Sequence, residues 1–362
     1  MTGATMKLVL VISSLSSGGA ERVMTDMANY WTKKGWQVTL VTFSGSNTAD
    51  FYQLEERVKR IHLGLRKPTA GLPDKLMFNV TRLHRLRSCI HSENPDAVIS
   101  FMVSTNVLTI LATYGMGLRT IVSERNAPSN PTVNRLWRFA RLIAYRHAHV
   151  VVAQTKSIGD WIRNKCGARV CEIPNALRDL PIPAEDREQI ILSIGSMTHQ
   201  KGFDILLEAF GAVADRYPLW RLVILGDGPE RSALEAHCAA LKLSSRVDMP
   251  GRVQNIEAWL ARAGLVVQAS RFEGFPNVVL EALGMGVPVI SSDCASGPSE
   301  MIKDGVNGRL VPLDAGASGF ATAIDELLSD NVLRLRMGKE AIKIRTEFSQ
   351  ARVMRLWEAT LK

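Results

Sequence analysis

The chain has 362 residues, 46% of them apolar and 22% charged: too many for one ordinary core, and enough for two of roughly 150 to 180 residues each. Its net charge of +9 is uneven, because residues 1–180 carry 24 Lys/Arg against 12 Asp/Glu and residues 181–362 carry 20 against 23; the basic first half points to an acidic partner such as a phosphate, a nucleic acid or an anionic membrane surface, with a solvated basic face as the alternative. Five scattered cysteines (Cys89, Cys166, Cys171, Cys238, Cys294) without paired spacing or a His cluster speak against a disulfide framework and a zinc site, and read as reduced cytoplasmic thiols.

In chain order, the apolar stretch Leu8 to Ile12 is too short for a signal-peptide core and reads as a first buried strand. No later run approaches the roughly 20 apolar residues of a membrane span. Strands are predicted at Lys7–Ser13, Gln37–Phe43, Arg60–Leu63, Ala97–Phe101, Thr120–Ser123 and His149–Ala153, then at Gln189–Gly195, Arg221–Gly226, Val247–Met249, Leu265–Gln268, Pro288–Ser291 and Arg309–Val311. Near-continuous Val/Ile/Leu runs separated by helical stretches mean parallel strands buried on both faces, so the predicted class is α/β with two doubly wound, Rossmann-like domains. The proline-rich segment around Pro174–Pro183 reads as the linker, giving domains over 1–180 and 185–347.

Each half has a glycine-rich turn at a strand exit. "ISSLSSGGAERVM" turns at Gly18 and Gly19 into a helix whose amino end suits a phosphate or a hydroxyl-rich ligand, although glycine pairs also serve plain packing. It is not the three-glycine dinucleotide fingerprint, which argues against a nicotinamide dehydrogenase. "IGSMTHQKGFDILLEAF" places Lys201 beside Gly202 at a sheet's carboxyl edge, where an anionic ligand sits. "RFEGFPNVVLEALGMGVPVI" puts Glu273 on a Gly/Pro loop, lets Asn277 cap the next helix, and places Glu281 eight residues after Glu273. Carboxylates accept paired hydroxyls, so the two acids suit a sugar ring and a ribose.

Two basic helices follow from the wheel. Over Thr132–His147, Leu136, Trp137, Phe139, Ala140, Ile143 and Ala144 fall on one arc and Arg135, Arg138, Arg141 and Arg146 on the opposite one, the pattern of an interfacial helix and also of any surface helix with an apolar inner face. In "DKLMFNVTRLHRLRSCI", Lys75, Arg82 and Arg85 share an arc that suits lipid headgroups or the pyrophosphate of a lipid-linked acceptor.

Taken with "IPNAL", "LVILGDGPE", "PGRVQNIEAWLARAGLVVQAS", "DCASGPSEMI" and "GVNGRLVP", these segments resemble, over nearly the whole chain, the retaining glycosyltransferases of GT-B fold with an E-x7-E motif, here Glu273 to Glu281 (glycosyltransferase family 4-like, group 1). The resemblance implies a donor-holding second domain, an acceptor-holding first domain, and a last helix, residues 348–362, that crosses back. It implies Lys201 on the donor diphosphate, Glu281 on the ribose, and Glu273 with the amides of Gly274 and Phe275 on the transferred sugar, Pro276 and Asn277 completing the loop. Gly19 would meet the diphosphate, and Arg252 and Val253 the base. Two positions depart from the family: Ser196 stands where many relatives have an arginine, and Arg125, beside Glu124, where many have a histidine near the sugar; Glu124 and Arg125 are site candidates on that ground.

The implied reaction moves a hexose or N-acetylhexosamine from a nucleotide sugar, with UDP ahead of GDP, to a membrane-associated glycan or lipid-linked acceptor in surface polysaccharide or oligosaccharide synthesis. No Asp-x-Asp motif is present, so no metal and no further cofactor are expected. The protein is expected to sit peripherally on the inner face of the cytoplasmic membrane. A nucleotide-sugar epimerase is the alternative within this fold, and no motif supports nucleic acid as partner.

Overall fold

The computed structural model describes residues 5–16, 18–45, 50–65, 72–126, 133–181 and 187–362, with backbone alone over 72–76. Two compact units result, Met1–Asn175 with Val353–Lys362, and Ala176–Arg352.

In the first unit β1 (Lys7–Ile12), α1 (Gly19–Lys33), β2 (Gln37–Thr42), β3 (Lys59–His62), α2 (Leu72–Glu93), β4 (Ala97–Phe101), α3 (Val103–Thr113), β5 (Arg119–Glu124), α4 (Arg135–Ala144), β6 (Val150–Ala153), α5 (Lys156–Cys166) and β7 (Val170–Glu172) follow one another. The strands form one parallel sheet in the order β3-β2-β1-β4-β5-β6-β7. Leu8 to Ile12 and Ala97 to Phe101 are buried throughout, as strands covered on both faces require.

The second unit runs β8 (Glu188–Ile194), α6 (Phe203–Val213), β9 (Arg221–Leu225), α7 (Arg231–Ala240), β10 (Val247–Gly251), α8 (Ile256–Arg262), β11 (Ala263–Gln268), α9 (Asn277–Gly284), β12 (Val289–Ser292), β13 (Gly308–Val311), α10 (Gly316–Ser329), α11 (Asn331–Ala341) and α12 (Ile344–Glu347). Its parallel sheet is ordered β10-β9-β8-β11-β12-β13.

The last helix, α13 (Gln350–Thr360), contributes to the first unit from Val353 onward. Trp357 is buried there against Phe101 at 5.9 Å between ring centroids, Lys34 pairs with Glu358 at 2.6 Å, and Arg119 donates to the Leu361 carbonyl.

Every predicted strand forms, within two residues at either end. β7 was not predicted, since "VCE" is too short and too polar to show an apolar run. The order reverses between β1 and β4 in one sheet and between β8 and β11 in the other. In open α/β sheets ligands gather at the carboxyl ends of such a pair.

Candidate functional site

At the carboxyl edge of the second sheet the turn after β8 and the loop after β11 come together. Gly202 holds φ +61°, and a Cβ there would stand 2.0 Å from the Ala269 carbonyl oxygen, so the turn approaches the β11 exit only with glycine at this position. The approach brings Lys201 Nζ to 2.5 Å from Glu273 Oε1, and Ser270 Oγ donates to the same oxygen at 2.7 Å. Glu273 is 7% exposed.

Hydrogen bonds latch the two loops. Gln200 Nε2 donates to the Phe272 carbonyl at 3.0 Å, and the Arg271 guanidinium grips Asp204 at 2.9 and 2.6 Å, holding that carboxyl below its ordinary range. Ser296 Oγ donates to the Glu273 carbonyl at 2.6 Å. Burial, with the Glu273 charge adding to it, pushes the Cys294 thiol up to about 12, so this sulfur stays protonated and is no nucleophile at neutral pH.

α9 opens beside this loop. Pro276 is its N-cap and makes no side-chain cap hydrogen bond, which leaves the positive end of the helix for an anion. This corrects the expected cap: Asn277 is the first helical residue. Gly274 is half-buried, Phe275 packs against Phe348 at 6.1 Å, and Glu281 lies in α9 at 3% exposure with Arg178 Nη2 at 3.2 Å from its Oε2. Ser196 is exposed, its carbonyl accepting from the Thr198 amide at 2.8 Å. Arg252, exposed, and Val253, half-buried, follow β10.

In the first unit Gly19 starts α1 directly behind the β1 exit. Arg125 follows β5, where its guanidinium lies 4.4 Å from the Phe101 ring centroid and donates to Asn175 Oδ1 at 2.7 Å, the same oxygen that Gln154 Nε2 reaches at 2.9 Å. Burial pulls the guanidinium down to about 9 against the opposing charge of Glu21, and it remains a cation at neutral pH.

Glu124 stands beside it in the chain. It is fully buried, takes Arg141 Nη1 at 3.0 Å and Tyr145 Oη at 3.1 Å on Oε2, and accepts from the Asn126 amide at 3.2 Å on Oε1. Asn106 continues the network to Tyr145, Ser100 and the Ser123 carbonyl. Both carboxylate oxygens of Glu124 are thus engaged inside the first unit.

The same contact corrects the predicted basic arc. Arg141, 2% exposed, points inward and lies 4.5 Å from the Trp161 ring centroid, because the buried Glu124 needs a cation and α4 supplies it. The apolar arc divides as well: Trp137, Ala140 and Ala144 pack on the sheet side, while Leu136, Phe139 and Ile143 stay 65%, 63% and 48% exposed beside the exposed Arg135 and Arg138. Arg146 is exposed just beyond the helix.

On α2, Arg82 is not a solvated cation: it is half-buried over Phe43 at 4.0 Å, which lowers it to about 10. Arg85 is exposed and donates to the Leu63 carbonyl at 2.9 Å. The Lys75 side chain lies outside the described residues. Among the described residues no helix is long and apolar enough to cross a membrane.

Ser270, Ser296, Asn175 and Arg178 escaped the sequence reading, since isolated polar residues in loops carry no periodicity. A cavity of about 610 Å³ at the amino edge of the second sheet has Arg187 and Arg334 in its wall. Both are spent on backbone carbonyls, those of Leu260, Ala261, Ala263 and Met285 for Arg187 and that of Leu327 for Arg334.

Residues 17–178 match the family model described as Glycosyltransferase Family 4, and residues 179–344 the model described as Glycosyl transferases group 1. The chain is 28% identical, over 97% of both chains, to the Campylobacter jejuni enzyme named GalNAc-alpha-(1->4)-GalNAc-alpha-(1->3)-diNAcBac-PP-undecaprenol alpha-1,4-N-acetyl-D-galactosaminyltransferase. It is 23% identical to the amylovoran biosynthesis glycosyltransferase AmsD of Erwinia amylovora, over 98% of this chain and 99% of that one. Among solved structures, Anabaena HepE in complex with UDP and glucose superposes with a TM-score of 0.83 at 19% identity, over 98% of this chain and 99% of that one.

Proposed function

Because the chain belongs to the group 1 glycosyltransferases and is built on the GT-B fold, we propose that it transfers a hexose or N-acetylhexosamine from a UDP-sugar to a lipid-linked or membrane-associated glycan, with retention of configuration. One observation carries the reading: Lys201, half-buried, and the buried Glu273, with Ser270, form a charge pair at the switch point of the second sheet, beside the amino end of α9, which has no side-chain cap. A cation and a helix dipole there suit the donor diphosphate. Glu273 suits the sugar hydroxyls and Glu281 the ribose.

In this reading the acceptor hydroxyl oxygen attacks the anomeric carbon as the bond from that carbon to the diphosphate oxygen breaks on the same face. The departing phosphate oxygen takes the acceptor proton. Lys201 and α9 stabilise the charge that develops on the leaving group, so no divalent cation is needed. The UDP in HepE and the undecaprenol-linked acceptor in the name of the Campylobacter enzyme favour this donor and acceptor class.

Unlike the predicted geometry, the membrane contact proposed here uses the outward ridge Leu136, Phe139 and Ile143 together with the exposed Arg135, Arg138 and Arg146, an apolar strip with cations beside it of the kind that lies in an anionic interface. Tyr114, 67% exposed, extends the apolar surface from the end of α3, where it packs edge-on against His147.

The test is transfer by purified protein from a panel of nucleotide sugars to undecaprenyl-diphosphate-linked oligosaccharides. Product is expected with a UDP-sugar, and Glu273→Ala is expected to drop it below about a tenth of wild type, at least one step of tenfold in rate. Full activity of that variant would remove Glu273 from the site, and no product from any donor would defeat the reading.

A further inference from the structure

The segment that leaves β7 is fixed within the second unit by residue 177. The Leu177 amide donates to the Phe348 carbonyl at 2.7 Å, and its side chain fills a notch at Gly284 of α9, where a Cβ would stand 2.6 Å from Leu177 Cδ2. Arg178, the next residue, is thereby delivered to one place. Its Nη2 donates to Glu281 Oε2 at 3.2 Å, and its Nη1 to Glu257 Oε1. Glu257 lies in the first turn of α8, a helix capped by Asn255, whose Oδ1 accepts from the Ala258 amide at 3.0 Å, a few residues after Arg252 and Val253.

Glu281 is the second acid of the motif and is 3% exposed, so its carboxylate is costly to bury unless a cation offsets it. A guanidinium does this with a planar fork, which fixes direction as well as charge. With Oε2 drawn to Arg178, the orientation of the carboxylate is set for the vicinal hydroxyls of a ribose, which donate in pairs. The second arm, on Glu257, ties the same guanidinium to the helix that follows the base-side loop.

We infer that Arg178 is a positioning residue for the nucleoside of the donor, holding the Glu281 carboxylate in the orientation that receives the ribose hydroxyls and linking it to α8 through Glu257. The inference rests on the second unit holding a nucleotide sugar.

The experiment is calorimetry on the full chain with UDP and 2′,3′-dideoxy-UDP, and with the GDP pair in parallel, comparing wild type, Arg178→Met and Arg178→Lys. Wild type prefers the ribonucleotide. Arg178→Met is expected to weaken it roughly tenfold, the order of one charge-assisted hydrogen bond, while the dideoxy form changes less than about twofold, so the preference collapses. Arg178→Lys keeps the charge but loses the planar fork that fixes direction, and is expected to fall between; it carries the test alone if the methionine variant fails to fold. An unchanged preference in the folded variants, or equal losses for both nucleotides, overturns the role of Arg178 while leaving the glycosyltransferase reading intact. A wild type that binds neither UDP nor GDP instead removes the premise.

Discussion

Replacing Leu136, Phe139 and Ile143 together with serine tests the membrane-facing ridge of α4, and its size can be worked from exposure. Full burial of such a side chain is favourable by about 1.5–3 kcal/mol. The three are 65%, 63% and 48% exposed, so what remains to be gained in an interface is about 1–1.5 kcal/mol each, or roughly 3–4 kcal/mol in all. The triple variant should therefore bind phosphatidylglycerol-containing vesicles at least about a hundredfold more weakly than wild type. Arg135, Arg138 and Arg146 each add about 1 kcal/mol near an anionic surface, a share that 1 M salt removes as the screening length falls to about 3 Å. Cosedimentation with vesicles of graded anionic content reads both effects. Because the three positions face solvent, the melting temperature should hardly move. Equal sedimentation of wild type and triple variant, or equal binding to neutral vesicles, refutes the reasoning.

The Val/Ile/Leu runs announce the strands because a parallel strand buried on both faces must be apolar at nearly every position, and Leu8 to Ile12 or Ala263 to Gln268 have no other place to go. The Gly202 and Glu273 segments were legible for a related reason: a turn that close to a neighbouring backbone tolerates no Cβ, so the glycine marks the approach. What the sequence concealed is which side chains spend their charge internally. On a helical wheel Arg141 is indistinguishable from Arg138, and only the burial of Glu124 on a different element decides that one faces in and the other out. The apolar arc of α4 is similarly wider than the sheet can cover, so periodicity named the apolar residues without telling which are covered. Arg178 was invisible for the opposite reason, since its partners Glu257 and Glu281 lie about 80 and 100 residues away and no local pattern links them.

Three further outcomes are expected. Lys201→Met should weaken UDP binding by about ten- to a hundredfold, the loss of a charge-assisted contact of about 1.5–3 kcal/mol, whereas Glu273→Gln should abolish transfer yet leave UDP affinity unchanged or tighter, because it frees Lys201 from its 2.5 Å partner; calorimetry showing parallel losses would mean that the two act only through the fold. A chelator should leave turnover unaltered, and full loss restored by manganese would show that Lys201 and α9 do not suffice for the leaving diphosphate. The last outcome concerns the buried pair of the first unit. Arg141→Leu leaves Glu124, fully buried, without its cation, at a cost of about 3–5 kcal/mol. Tyr145, whose hydroxyl burial and the Glu124 charge raise well above its ordinary range, still donates to the carboxylate but brings no charge to offset it. Adding Glu124→Gln removes the orphaned charge while its one amide oxygen can still accept from Tyr145, so the double variant should be more stable than Arg141→Leu alone by about 2 kcal/mol or more. Urea unfolding of the full chain, followed by circular dichroism, measures the difference. If the costs of the two substitutions simply add, the burial of Glu124 exerts no demand for a cation, and the reason given for the inward turn of Arg141 fails.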